Sequence, residues 1–209
     1  MFIDPKRATY KERYKLMTGS IVPRPIAFVS TISSDGDLNL APFSYFAAIC
    51  AEPPTLCFAP GRRSSDGERK DTLINIEATG EFVVNTVTEG LGRAMVATAA
   101  EYSAQRNEFE VARLTPVPSH IVKPPRVKES PITMECKLHQ VIPIGSGGVG
   151  GGDLVIGEIV MFHIADELYD EGRINIHKLK PLGRLAGAEY TTLGKIVSLQ
   201  VDVQHPDNG

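Results

Sequence analysis

A proline inside a strand constrains this sequence more than any other feature. Residues 23–46 read PRPIAFVSTISSDGDLNLAPFSYF. Residues 26–33 are a β-rich run of apolar and hydroxyl side chains. In the turn cluster Ser34-Asp35-Gly36-Asp37, Asp-Gly supplies the positive φ of a tight hairpin. Residues 38–46 return as a second strand carrying Pro42. A prolyl nitrogen has no hydrogen to donate, so this strand lies at a sheet edge or breaks its pairing there. In either case, backbone N–H and C=O groups are left free for a ligand.

Residues 1–20 are a polar lead-in with a single helical turn expected within 10–17. After the turn Glu52-Pro53-Pro54, residues 55–59 form a short strand and residues 60–69, PGRRSSDGER, a polar loop. Asp71 is placed to cap a helix that runs to about Ala78 and ends at Gly80. A strand is expected over 82–87 (FVVNTV), then helices over 89–101 and 108–114. Five prolines (Pro116, Pro118, Pro124, Pro125 and Pro131) exclude regular helix and predict an extended surface loop. Two long strands, 132–144 and 154–165, flank a glycine-rich turn, and residues 196–203 give a last strand. Hairpins without β-α-β alternation, with helices gathered mid-chain, predict a mainly β fold: an antiparallel barrel with appended helices. At 209 residues one domain is expected, over 21–203, with a polar tail at 204–209.

A net charge of −3 does not favour nucleic-acid binding. The three cysteines, Cys50, Cys57 and Cys136, are odd in number and lack Cys-x-x-Cys spacing, which fits a reducing cytoplasm. Cys50 and Cys57 read as small buried hydrophobes. The first fifteen residues have no signal-peptide core, and the longest uncharged apolar run, 38–51, is too short to span a bilayer. The expectation is a soluble, cytoplasmic protein with no membrane contact.

Gly145-Ser146-Gly147-Gly148-Val149-Gly150 formally matches a dinucleotide fingerprint. That motif needs a helix after it, and the following DLVIGEIVMFHI reads as a strand, so the glycines belong to a hairpin. Arg62-Arg63-Ser64-Ser65 followed by Lys70-Asp71-Thr72 has two readings. Cations and hydroxyls beside a helix start suit a phosphate, and the same residues suit a solvated loop with an aspartate cap. The histidines at 120, 139, 163, 177 and 205 are scattered without metal-ligand spacing, and no G-x-S-x-G elbow marks a nucleophile. A phosphate-like site and a broken strand, without a side-chain catalyst, point to a cofactor that performs its own chemistry.

The ordered pieces PRPIAFVST, NLAPFSYF, EPPTLCFAP, KDTLINIEATGEFVVN, NEFE, KESPITMECKL, VIGEIV and RLAGAEY resemble the flavin reductase-like FMN-binding family over residues 14–193. The resemblance implies a split β-barrel of antiparallel, Greek-key type that binds FMN at a homodimer interface. It implies that Ser30 and Thr31 approach the ribityl and phosphate region. Ala41, Pro42, Phe43 and Ser44 would line the isoalloxazine. Arg62, Lys70 and Thr72 would hold the phosphate, with Asn75 supporting that corner. Tyr45, Phe46 and Tyr190 are open to core packing, dimer packing or flavin stacking.

The implied activity is hydride transfer from NADH or NADPH to flavin. Electrons would then pass to a further acceptor, such as free flavin, oxygen, a partner oxygenase or a redox protein. Two alternatives stand beside it: a flavoredoxin-like electron carrier with tightly held FMN, and a cofactor-free split-barrel interaction module. Two positions depart from the family pattern. Leu154 follows Gly152-Asp153 where reductases of two-component monooxygenases carry histidine, and Ala186 stands where close relatives have glycine.

Overall fold

Alternation along the strands builds two apolar layers. In a computed structural model describing residues 1–199, seven strands form one antiparallel sheet. They are β1 (Ala27–Ile32), β2 (Leu38–Phe43), β3 (Phe46–Ala51), β4 (Pro54–Phe58), β5 (Glu81–Thr86), β6 (Ile132–Ile144) and β7 (Gly152–Ile164). Their spatial order is β2-β1-β5-β6-β7-β4-β3. β2 and β3 are therefore opposite edges of the sheet, yet only Ser44 and Tyr45 separate them in sequence. The sheet curls until its edges meet at that corner, which makes a split β-barrel.

Aromatic contacts across the barrel record the curl. The rings of Phe43 on β2 and Phe58 on β4 lie 5.2 Å apart, and Phe58 meets Phe82 on β5 at 5.6 Å. Ala27 and Val29 of β1 join this interior cluster, with Leu73 and Ile76 from helix α2 (Asp71–Thr79). Phe28, the intervening β1 residue, faces a second cluster with Leu40, Met95 and Phe109. That layer lies under α3 (Gly92–Ala97) and α4 (Glu108–Ala112).

Pro42 sits in an edge strand, as its missing N–H requires. The expected 38–46 strand divides, because the chain turns at Ser44 and Tyr45 to reach the other edge. Asp71 does not cap α2. Lys70 holds the cap position, no side chain caps the turn, and Gly80 closes the helix in the left-handed conformation at φ 72°. The helix expected over 89–101 shrinks to a 3₁₀ turn at Glu89–Leu91 and α3, with Gly90 and Gly92 lowering helix propensity between them. The lead-in helix is longer than one turn. It forms α1 (Tyr10–Ser20), with Thr9 and Glu12 bonding reciprocally as a capping box.

The proline-rich segment lies only partly at the surface, with Pro116, Pro118, His120 and Lys123 exposed. Val122, Pro124, Pro125, Val127 and Ser130 are buried, and Pro116–Val117 pairs with Arg126–Val127. The buried carboxylate of Glu135 on β6 accepts the N–H groups of His120, Ile121 and Val122 at 2.7, 2.6 and 3.0 Å, and contacts His163 Nε2 at 2.5 Å. One acidic side chain thus ties the segment to the sheet. Cys50 is exposed on edge strand β3 and Cys57 half-buried, so neither is a buried hydrophobe. Residues 196–199 are not strand, and the remainder of that expected strand and the 204–209 tail lie outside the described residues. Among the described residues no helix is long and apolar enough to cross a membrane.

Candidate functional site

β2 and the start of α2 form the two walls of a cleft. Ala41, Pro42 and Phe43 line one side, Lys70 and Thr72 the other, and Arg63 lies at its mouth. Because β2 is an edge strand, its outer backbone groups have no strand partner. Because α2 has no side-chain cap, its first turn leaves N–H groups available to an anion beside the Lys70 ammonium.

Behind the cleft runs a buried polar chain. Thr72 Oγ1 donates to Asn39 Oδ1 at 2.7 Å, and Asn39 Nδ2 donates to Glu108 Oε1 at 3.0 Å. The other Glu108 oxygen accepts the Leu40 N–H at 3.1 Å. Thr31 Oγ1 accepts from Asn75 Nδ2 at 3.0 Å and donates to Asn39 Oδ1 at 3.4 Å. Thr31 and Asn75 therefore brace Asn39 and Thr72 from behind.

Several residues named from the sequence stand elsewhere. Ser30 faces away from Thr31, as alternate strand residues must, and donates to Pro125 O at 2.5 Å in the outer layer. Arg62 pairs with the buried Asp153 at 3.1 Å and takes no part in the cleft lining. Its neighbour Arg63 takes the cleft position, 2.6 Å from Asp71. Ser44 lies at the β2–β3 corner, where its Oγ accepts from Arg24 Nε at 3.4 Å. The exposed Tyr45 and half-buried Phe46 flank that corner, and Tyr190 lies under the Arg184 guanidinium.

Two cleft residues were missed, Asn39 and Glu108, while Arg63 was named only as part of the phosphate-like loop. Asn39 opens the NLAP run on the strand already singled out, and its alternation with Ala41 and Phe43 puts all three on the cleft side. Glu108 carried no sequence signal beyond a helix start and its place in the NEFE piece. Burial pushes its carboxyl above the usual range, while the Leu40 N–H and the Asn39 amide pull it back. Glu101 is held down to about 2 by the Ser65 hydroxyl and the Ser64 N–H, which ties the 60–69 loop across the cleft's end.

The donor set fits a phosphate monoester: an ammonium and the free N–H groups of an uncapped helix start, the Thr72 hydroxyl being spent on Asn39. The Ala41-Pro42-Phe43 strip, on an edge strand whose Leu40 N–H alone is taken up by Glu108, fits a flat heterocycle with polar rim atoms. Together they suit a phosphate-bearing flat heterocycle better than a simple anion.

Comparison with known proteins agrees with this chemistry. A model of the flavin reductase like domain matches residues 18–182. An uncharacterized protein of Halalkalibacterium halodurans is 42% identical over 200 residues, covering 95% of both chains. The crystal structure of nitrilotriacetate monooxygenase component B from Bacillus cereus superposes with a TM-score of 0.91 at 44% identity, over 95% of this chain and 98% of that one. The Pseudomonas fluorescens 2-nitrobenzoate 2-nitroreductase NbaA gives 0.87 at 34% identity, with each chain covered completely. By its fold, its cleft and these matches, this chain belongs to the flavin reductase-like family.

Proposed function

We propose that this protein is an NAD(P)H:flavin oxidoreductase that holds FMN in the β2–α2 cleft and passes electrons to a further acceptor. The observation that carries the proposal is the meeting of the uncapped α2 start, Lys70 and Thr72 with the unpaired edge of β2. Lys70 and the first turn of α2, through the backbone N–H groups of Asp71 and Thr72, would bind the phosphate. Thr31, Asn39 and Asn75 would hold Thr72 in place. Ala41, Pro42 and Phe43 would seat the ring and exclude water from one side. Bound FMN supplies hydride acceptance from NADH or NADPH, and the protein contributes position and electrostatics rather than an acid–base side chain.

The outer face of β3 supports a homodimer. Ala47, Ala48, Ile49 and Cys50 are exposed on an uncharged edge strand, the kind of surface that proteins cover. The domain would run over 21–203. The free thiols fit a reducing cytoplasm. The 44% identity to a monooxygenase component supports a partner oxygenase as acceptor. The end-to-end match to a nitroreductase favours a second reading, in which a nitroaromatic takes the electrons.

An anaerobic absorption spectrum tests the proposal. The FMN-loaded protein is expected to bleach on adding NADH or NADPH, with turnover restored by free flavin, oxygen or 2-nitrobenzoate according to the acceptor. Flavin that stays oxidised would leave the electron carrier. Failure to bind FMN at all would leave the cofactor-free module.

A further inference from the structure

Arg24 is a buried cation without an anion. It is 5% exposed, and its Nη1 donates to Thr18 O at 2.7 Å and Ile21 O at 2.6 Å. Nη2 donates to Leu185 O at 2.8 Å, and Nε to Ser44 Oγ at 3.4 Å. Every one of these acceptors is neutral. Among the described residues, no carboxylate forms an ion pair with it. The forked donors explain why arginine suits the position, since three separate chain segments are stapled at once. Thr18 O and Ile21 O close the C-terminus of α1, whose dipole favours a cation there, but no full negative charge faces the guanidinium in this low-dielectric setting.

The position of that charge supplies a reason. Ser44 follows directly on Ala41, Pro42 and Phe43, which line the cleft. On the other side of the β2–β3 corner, Arg24 lines an apolar cavity with Phe46, Leu182 and Leu185. Apolar surroundings there screen the guanidinium weakly, so its field persists across Ser44 towards the cleft.

We propose that Arg24 is a positioning residue for the redox poise of the flavin: acting through Ser44, its charge favours negative charge on the ring's pyrimidine half. The inference rests on the flavin reading above. Two electrons and one proton added to oxidised flavin leave one negative charge in that half of the ring. Sulfite, adding to N5 through its sulfur lone pair, places negative charge in the same region without any electron donor. A fixed cation nearby shifts both equilibria towards the charged form.

The test uses the full chain loaded with FMN, comparing wild type with Arg24→Gln and Arg24→Lys. Sulfite affinity is read from loss of flavin absorbance, and the two-electron midpoint potential from equilibration with a reference dye. FMN affinity and melting temperature are recorded for each variant. Arg24→Gln is expected to weaken sulfite binding about tenfold or more and to lower the potential by about 30 mV per tenfold. Arg24→Lys keeps the charge and is expected to stay within about threefold of wild type, even with a lower melting temperature. An Arg24→Gln protein that binds FMN with wild-type sulfite affinity and potential overturns the inference, whatever its stability, and leaves Arg24 a staple. Should Arg24→Gln fail to fold, Arg24→Lys decides: retained sulfite affinity supports the charge, and an about tenfold loss overturns it. Wild-type protein that takes up no FMN removes the flavin reading itself, so the two failures are told apart.

Discussion

Thr72 Oγ1 reaches Asn39 Oδ1 at 2.7 Å, joining the first turn of α2 to edge strand β2 across the floor of the cleft. This bond holds the two walls in register. Asn39 cannot swivel, since its amide nitrogen is engaged by Glu108 at 3.0 Å. Replacing Asn39 with leucine removes the acceptor for Thr72 and a donor to Glu108 together. The expected cost is about 1–3 kcal/mol of stability, from buried partners left unpaired. FMN affinity should fall with it, by about tenfold for each 1.4 kcal/mol of binding free energy lost. Urea unfolding and flavin-fluorescence titration check the two effects.

The two neighbouring arginines should separate cleanly on mutation. Arg62 faces Asp153, which is 1% exposed, so Arg62→Ala leaves a buried carboxylate without its main partner. A loss of about 3–5 kcal/mol of stability is expected. Lys70→Ala, at the cleft, is expected to weaken FMN binding by about tenfold or more while changing stability by less than about 0.5 kcal/mol. Thermal melts of the apo-protein and FMN titrations of both variants check this. Equal effects of the two on affinity would move the phosphate towards Arg62.

That contrast shows how much was legible in the sequence. Hairpin chemistry at Asp35-Gly36, the proline in β2 and the glycine-rich turn before β7 are local signals, and each predicts its element. Ser30, Arg62 and Ser44 are different. Which side of the strand or loop they face follows from pairing partners far away in the chain: Pro125 for Ser30, Asp153 for Arg62 and Arg24 for Ser44. Glu108, at the start of α4, was illegible for the same reason, since its partners Asn39 and Leu40 come from strand β2, far away in the chain. The proline-rich segment looked like surface because composition reports regular structure and not burial. Its anchor, Glu135, lies on the following strand.

Glu135 also sets an acid limit. Burial would raise its carboxyl, but the N–H of His120, the His163 ring and the N–H groups of Ile121 and Val122 hold it down to about 2. A depressed folded-state value means that its stabilising contribution is complete above the unfolded value of about 4.3 and disappears as pH falls towards 2. Acid unfolding of wild type should steepen over that window. Glu135→Gln should lose about 1–3 kcal/mol at neutral pH and show a flatter acid transition. Circular dichroism against pH measures the slope, and limited proteolysis should cut residues 116–131 first in the variant.

The aromatic column leaves no room opposite it on β7. A Cβ at Gly157 would overlap Phe82 Cζ and lie 3.3 Å from the Lys137 carbonyl oxygen. Phe82 cannot yield readily, because its other neighbour in the column is Phe58. Gly157→Ala is therefore expected to cost about 1–3 kcal/mol by overpacking. Pairing it with Phe82→Leu should recover part of the loss, read as a non-additive double-mutant cycle in urea.

Edge strand β3 should govern assembly. Its free side carries Ile49 at 52% exposure amid alanines and Cys50, with no charge to deter pairing. If two copies bury this surface, a charge at its centre must be desolvated without a partner, a cost that association of ordinary strength does not withstand. Ile49→Lys is therefore expected to give a monomer by light scattering where wild type gives a dimer. The chain itself should stay folded, because position 49 makes no core contact. FMN affinity then reports on the site's construction. A monomer that binds FMN as wild type does would assign the whole site to one chain, whereas a large loss would place part of it on the second copy. A wild-type protein that is monomeric at micromolar concentration would remove the interface altogether.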